Sequence, residues 1–489
     1  MKRRSHRRVY FGLLLAFFVI ITSVGAAPGP SANLGIDTAP IDPYILEEIE
    51  ADGRTNIFVK MATDAGLGAA EDIGDREGRL QFVYDVLTSH ASRSQSSIVQ
   101  FLKNQGIAFQ SFWINNSIYL YDADLELVNA LAMRDDVAYL RADHKVPLHL
   151  PVKVRRSLDG IESVEWNISR IHADDVWAEG ITGEGIVVAN IDTGVRYTHE
   201  AIVNQYRGNN GDGTFSHDYN WYDPNMNLSE PSDNIGHGTH TMGTMVGGDG
   251  TGSFSEDIGV APGAEWIASK GCGILFCSDF RLIASAQWIA CPTKVDGTNP
   301  DCSKAPHVVN NSWGGGRGNP WYESYVRAWL SAGIAPVFSA GNSGPNCRTV
   351  GSPGDYTLVV GVGATDNTDV LADFSGKGPG SFRRLKPDFV APGDGIRSSV
   401  NLGNSAYALY SGTSMAAPHV SGTISLMLSA NPDTGLLSLY NALRLTTMKG
   451  MGAPPGPDVC GGRSYAVYPN AIYGWGMIDA QAAVDAIMH

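Results

Sequence analysis

Charge is scarce in this 489-residue chain: Asp, Glu, Lys and Arg make up 17% of it, where about 25% is usual. The charge that exists leans to one sign, with 35 basic against 50 acidic residues and a net charge of −15. Five of the bases (Lys2, Arg3, Arg4, Arg7, Arg8) fall in the first ten residues, so the remainder carries 30 − 50 = −20. A body of that sign repels phosphate backbones, which excludes nucleic acid as a partner. Cysteine is absent before Cys272. After the first 24 residues no apolar run approaches the roughly 20 residues that a membrane span needs. Sparse charge beside 43% hydrophobic residues excludes a disordered chain. The 57 glycines exclude a coiled coil, and their lack of a three-residue period excludes collagen. What is left is a loop-rich globular protein whose backbone comes close to other backbone or to a ligand.

The N-terminus has its own logic. Basic residues 2–8 precede an almost wholly apolar Val9–Val24, then Gly25-Ala26-Ala27 and Pro28-Gly29-Pro30. That is the order of a secretory signal peptide cut after Ala26 or Ala27, and the apolar stretch is short for an anchor. In an exported chain the six cysteines (Cys272, Cys277, Cys291, Cys302, Cys347, Cys460) predict disulfides. Six allow fifteen pairings; the simplest joins neighbours, Cys272–Cys277, Cys291–Cys302 and Cys347–Cys460. The spacings match no common zinc pattern.

Residues 27–55, rich in Pro, Gly and small side chains, read as a linker. Residues 56–149 read as a separate unit: a strand at Asn56–Met61, a long helix Arg76–Asn104, a hairpin of Ile107–Trp113 and Ser117–Tyr121, a helix Leu125–Ala132 and a strand Val137–Leu140. This β-α-β-β-α-β order predicts a small α+β ferredoxin-like fold. Residues 150–165 read as an exposed linker carrying Lys153, Arg155 and Arg156. From 166 to 489, apolar runs suited to parallel strands (186–191, 308–310, 335–339, 358–362) alternate with helical stretches such as Asp279–Ile289 and Trp321–Ala332. The alternation predicts an α/β domain with a mainly parallel sheet, whose ligands sit at the carboxyl ends of the strands.

The polar clusters fall at those ends. Asp192-Thr193-Gly194 follows a buried strand, His237 lies in Gly236-His237-Gly238-Thr239-His240, and Ser414 lies in Ser411-Gly412-Thr413-Ser414-Met415-Ala416-Ala417-Pro418 at a helix start. Serine is a weak nucleophile that needs a base, and the base needs a carboxylate to hold its tautomer. Glycines beside His237 and Ser414 would let a polypeptide come close. Asn342, in Ser339-Ala340-Gly341-Asn342-Ser343-Gly344, could donate to an oxyanion. The order Asp192, His237, Ser414, with gaps of 45 and 177 residues, differs from His-Asp-Ser and Ser-Asp-His enzymes and is the subtilisin order.

With VVANIDTGV, GHGTHTMGTM, NNSWGG, FSAGNSG and SGTSMAAPHVSG across 166–480, the chain resembles the subtilisin-like serine proteases (peptidase S8). Local wording such as WNISRIHADDVWAEGITGEG is most like the bacillopeptidase F branch. The resemblance implies a subtilisin-like three-layer domain that hydrolyses polypeptides through an acyl-enzyme. Asp192 would be the orienting acid, His237 the general base, Ser414 the nucleophile and Asn342 the oxyanion donor. Ser312-Trp313-Gly314 would pair with substrate backbone, Leu275-Phe276-Cys277 would form the opposite edge, and Gly351 would floor a roomy pocket. The first unit resembles the I9-type inhibitor and chaperone propeptides of this family. Self-cleavage falls near His149–Leu150 matched from that side, and the mature start near Ile161 matched back from Trp166. The implied product is a secreted, extracellular monomer that needs no organic cofactor.

Other readings compete. Asp192-Thr193-Gly194 and Asp433-Thr434-Gly435 could be an aspartic-protease pair, but the second follows Asn431-Pro432 and reads as a turn before a helix. His237 and His240 lack the H-E-x-x-H of a metalloprotease, and His240 and His419 read as structural. Asp212, Asp218, Asp223 and Asp233 could hold structural calcium or form a solvated acidic loop. Asn-x-Ser triplets begin at Asn115, Asn167, Asn227 and Asn310; they mean glycosylation only on a eukaryotic secretory route. A different class altogether is an exported, catalytically inactive pseudoprotease that only binds peptides.

Overall fold

A computed structural model describes residues 38–148, 150–156, 164–225, 228–248 and 257–489. The expected signal peptide and the positions His149, Ile161 and Asn227 lie outside the described residues.

Seven parallel strands form the main sheet: β1 Val187–Ile191, β2 Trp221–Tyr222, β3 Glu265–Ser269, β4 Val308–Asn311, β5 Ala335–Ser339, β6 Val360–Thr365 and β7 Phe389–Pro392, in the order β7-β6-β5-β4-β1-β3-β2. Consecutive strand residues face opposite sides, so each strand feeds two cores. Val188, Val308, Val337 and Val362 join one core with helix α1 (His237–Val246) and helix α4 (Thr413–Ala430). Ala189, Val309 and Phe338 join the other with α2 (Asp279–Ala290) and α3 (Glu323–Ser331). These are the three expected layers. Strand order reverses between β1 and β4, and a crevice forms beyond the carboxyl ends at such a point. Asp192 follows β1 there, and Ser312 follows β4.

Helix α4 is buried along nearly its whole length. Gly422 is required by that burial, because a Cβ would lie 2.5 Å from the Val260 Cβ. Pro418 has no N–H to give the Ser414 carbonyl one turn back. Ser312 Oγ takes that place, donating to Ser414 O at 2.9 Å. A helix interruption thus ties the end of β4 to the start of α4.

The first unit has the strand order Phe109–Phe112, Ser117–Ala123, Thr55–Met61, Val137–Ala142, all antiparallel, which is the split βαβ arrangement. One sheet face, with Ile57, Val59, Ile118 and Leu120, packs under the unit's own helices. The other, with Phe58, Phe112 and Tyr119, packs on Phe280 of α2, the Tyr119 and Phe280 rings lying 4.6 Å apart. Polar contacts seal this face. Asp143 accepts from Phe280 N at the start of α2 (3.0 Å), and Arg141 donates twice to the buried Asp279 (2.9 and 2.6 Å). Burial pushes the Asp279 carboxyl up to about 6, against the pull of Arg141.

Two expectations change. Residues 43–52, read as linker, form a helix capped by Asp42, and Ile45 enters the core. The single helix over 76–104 breaks at Gln95, whose buried amide donates to Phe112 O and Asn116 Oδ1 instead. The disulfides join Cys272–Cys277, Cys291–Cys302 and Cys347–Cys460. Asn115, Asn167 and Asn310 are buried, out of reach of glycosylation.

Candidate active site

Asp192 leaves β1 with its side chain fully buried, accepting from Thr193 N at 2.7 Å and Thr241 Oγ1 at 3.4 Å. His237 opens α1 and donates from Nδ1 to Asp192 Oδ1 at 2.7 Å. Burial alone would lower the His237 pKa; the Asp192 carboxylate reverses this and Asp233 adds to it, so the net direction is up. A carboxylate at Nδ1 holds the proton there and leaves Nε2 as the basic nitrogen. Nε2 is buried without a partner.

Ser414 is the second residue of α4. Its hydroxyl donates to Ser312 O at 3.1 Å rather than to His237. Asn342, three residues past β5, accepts from Thr413 N (2.9 Å) and Thr413 Oγ1 (2.8 Å) through Oδ1. This fixes the amide so that its donor, Nδ2, is buried without a partner. The structure therefore brings Asp192 and His237 into contact, sets Ser414 and Asn342 on either side of Thr413, and leaves one base and one donor unspent.

The expected substrate residues divide. The chain's own Lys145–Pro147 lies antiparallel on Phe276–Ser278, with Cys277 opposite Val146, and Leu148 N donates to Leu275 O at 3.2 Å. Leu275-Phe276-Cys277 is thus an edge that holds extended peptide. Lys145 Nζ sits 4.9 Å from the centre of the Phe276 ring. Trp313 offers no side chain to substrate: it is buried against Tyr322 and Phe338. Ser312 is likewise engaged with Ser414 on both its hydroxyl and its carbonyl. Gly314 and Gly351 flank the turn where Gly315 N donates to Ser352 O at 2.9 Å, and a Cβ on Gly351 would come within 3.1 Å of Gly316 O. The glycines beside His237 serve the fold rather than substrate approach, since a Cβ on Gly238 would fall 2.1 Å from Gly194 O.

Residues 183–476 match the profile of the subtilase family. The chain is 36% identical over 450 residues to Bacillopeptidase F of Bacillus subtilis (strain 168), covering 88% of this chain and 30% of that protein. It is 31% identical over 326 residues to Alkaline elastase YaB of Bacillus sp. (strain YaB), covering 66% of this chain and 72% of the relative. It is 31% identical over 325 residues to Subtilisin Savinase of Lederbergia lenta, covering 66% and 99%. The chain belongs to the subtilase family. Membership carries the class of serine-type endopeptidase, and the likeness to Bacillopeptidase F agrees with the branch read from local wording.

Some of this subtilase's site residues escaped the sequence reading. Asp233 was read only as a calcium or acidic-loop candidate. It accepts from Thr193 Oγ1, Ile235 N and Gly236 N on Oδ1 and from Thr239 N and Oγ1 on Oδ2, holding the first turn of α1. An Asp four residues before the His of a Gly-flanked helix start was the available signal. Lys270 is nearly buried and donates to Thr193 O and Ser232 O. Cys272 N donates to Asp192 O at 3.0 Å, so the Cys272–Cys277 disulfide links the peptide edge to the acid.

The acidic stretch does not converge. Asp212 caps Thr214, Asp218 accepts from Val295 N, and Asp223 accepts from Asn225 N. Among the described residues no three His, Cys, Asp or Glu gather as a metal would need. His240 and His419 are structural, as expected. His240 donates from Nε2 to Ile396 O and Ala408 O and stacks on Tyr410, and burial lowers its pKa to about 3. Burial lowers His419 to about 4, its Nδ1 donating to Met415 O. No helix among the described residues is long and apolar enough to cross a membrane.

Proposed function

We propose that the chain is the precursor of a secreted endopeptidase in which Ser414 is the nucleophile, His237 the base, Asp192 its orienting acid and Asn342 the oxyanion donor. For attack, Ser414 Oγ exchanges the Ser312 carbonyl for the unpartnered His237 Nε2. His237 takes the hydroxyl proton as Oγ attacks the peptide carbonyl and returns it to the leaving amine. The imidazolium formed in between is what the Asp192 carboxylate stabilises. Asn342 Nδ2 and the Ser414 backbone N–H receive the oxyanion, the former contributing about 2.7–4 kcal/mol. Water then hydrolyses the acyl-enzyme.

The observation that carries self-processing is the path of the chain itself. Residues 145–148 lie on the peptide edge at 275–278, and residues 152–156 pair with Tyr407–Ser411, three residues before Ser414. The bond to be cut then lies between these pairings, at or next to Leu148–Leu150. This favours the site at His149–Leu150 for the first cut. The unit before it, docked on α2 through Arg141 and Asp143, is the inhibitor. Secretion rests on the N-terminal signal, and a monomer and polypeptide substrates are the expectation for such an enzyme.

A fluorophosphonate probe with the Ser414→Ala variant tests the reading. Labelling of the wild-type protein that disappears in Ser414→Ala, together with accumulation of an uncleaved Ser414→Ala precursor, is the expected result. A folded wild-type protein that is processed yet never labels would instead be a peptide-binding pseudoprotease.

A further inference from the structure

The residues that follow the proposed cut do not leave the site. Val152 N donates to Ser411 O at 2.7 Å. Lys153–Arg156 then continues antiparallel to Tyr407–Ser411, with Ser411 opposite Lys153, Tyr410 opposite Val154, Leu409 opposite Arg155 and Ala408 opposite Arg156. The other edge of Tyr407–Ser411 is already taken by Ile396–Ser399. In this sheet of three, the outer position is therefore filled by a piece of the chain that processing cuts loose at one end. Without that piece, Tyr407–Ser411 presents a strand edge, and such an edge accepts another strand readily.

This edge is rigidly built. His240 pins it to α1 through Ala408 O and the stack on Tyr410. Ser411 Oγ accepts from Gly395 N at 3.0 Å and donates to Asp394 at 2.6 Å. Gly412 N donates to Gly393 O at 2.9 Å. The seated segment pairs main chain to main chain, and Leu150, Val152 and Val154 are 45%, 50% and 60% exposed. Main-chain pairing of this kind supplies affinity for an extended peptide without reading its side chains.

We infer that Tyr407–Ser411 is a track for the leaving side of the substrate: a polypeptide adds its third to seventh residues after the cut as an antiparallel strand there. The inference rests on the endopeptidase reading above and extends it to the substrate class, long and locally unfolded polypeptides rather than short peptides. It also makes the enzyme's own new N-terminus, Leu150 onward, the first competitor for the track.

Internally quenched peptides, identical before the cut and carrying two, four or seven residues after it, test this on the enzyme obtained from the full chain. We expect kcat/KM to rise tenfold or more from two to seven residues, chiefly through KM. N-methylation of the third residue, whose amide replaces that of Val152, should remove most of the gain. Shuffling the side chains of residues four to seven should leave it. Equal kcat/KM at all lengths would overturn the track. A chromogenic amide with nothing but a dye after the cut keeps the two readings apart: its hydrolysis without any length effect sinks the track alone, whereas no hydrolysis of any substrate sinks the endopeptidase reading as well.

Discussion

Asp233→Asn separates two ways in which a carboxylate beside His237 can act. Asn keeps an acceptor where Oδ1 meets Thr193, Ile235 and Gly236, but presents N–H groups to Thr239, whose amide now gives its hydrogen bond to Oδ2 at 2.9 Å. Hydrogen bonds to a charged group contribute about 1.5–3 kcal/mol each, and a stranded donor costs a similar amount, so we expect stability to fall by about 2–4 kcal/mol. The charge has a separate effect. Asp233 is one of the groups that raise His237 against the lowering by burial, so its neutralisation lowers the His237 pKa. A base must be neutral to work, so the acid limb of the kcat/KM profile should move to lower pH. Thr239→Val is the control. It removes the hydroxyl that donates to Asp233 at 2.6 Å but leaves the charge in place, so thermal stability should drop with the limb unmoved. Profiles of kcat/KM against pH, paired with thermal denaturation, decide the matter. A limb that stays or rises in Asp233→Asn, or one that shifts equally in Thr239→Val, would refute a role for the charge.

Two further outcomes follow from the same geometry. Asn342→Leu should lower kcat by about 10²–10³ with little change in KM, and should also lower Tm, because Thr413 N and Oγ1 lose their acceptor. Replacing Cys272 and Cys277 together by Ser opens a link between residues only five apart, a loss of about 2 kcal/mol by loop entropy. Its sharper signature should be kinetic: KM rises for peptides with four residues before the cut, while a short ester is hydrolysed as before.

Much of the fold was legible because its signals are local. Val187–Ile191 and Ala335–Ser339 are apolar runs that stay strands wherever they pack, and Leu125–Ala132 begins after a capping Asp124. The break at Gln95 was not, since that helix pattern is continuous and only the carbonyl of Phe112 and the amide of Asn116, across the fold, draw Gln95 inward. Lys153–Arg156 read as an exposed linker for the same reason: its partner strand lies about 250 residues away. At the site, motif spacing led to Asp192, His237, Ser414 and Asn342. It assigned Trp313 a backbone role, and the seat of its ring against Tyr322 and Phe338 was beyond its reach because those partners lie elsewhere in the chain. Asp233 was legible only as part of an acidic stretch, because five hydrogen bonds to nearby amides and hydroxyls leave no mark in composition.

Burial of His240 and His419 reaches beyond the site. Both imidazoles stay neutral in the folded protein down to about pH 3 and 4, held as donors to backbone carbonyls. In the unfolded chain each takes up a proton near pH 6.5. Between those limits unfolding takes up protons at these two residues, so acidification lowers the stability of the folded state. The helices that place His237 and Ser414 each carry one of these residues, so acid undoes the scaffold of the site through histidines that never take part in its chemistry.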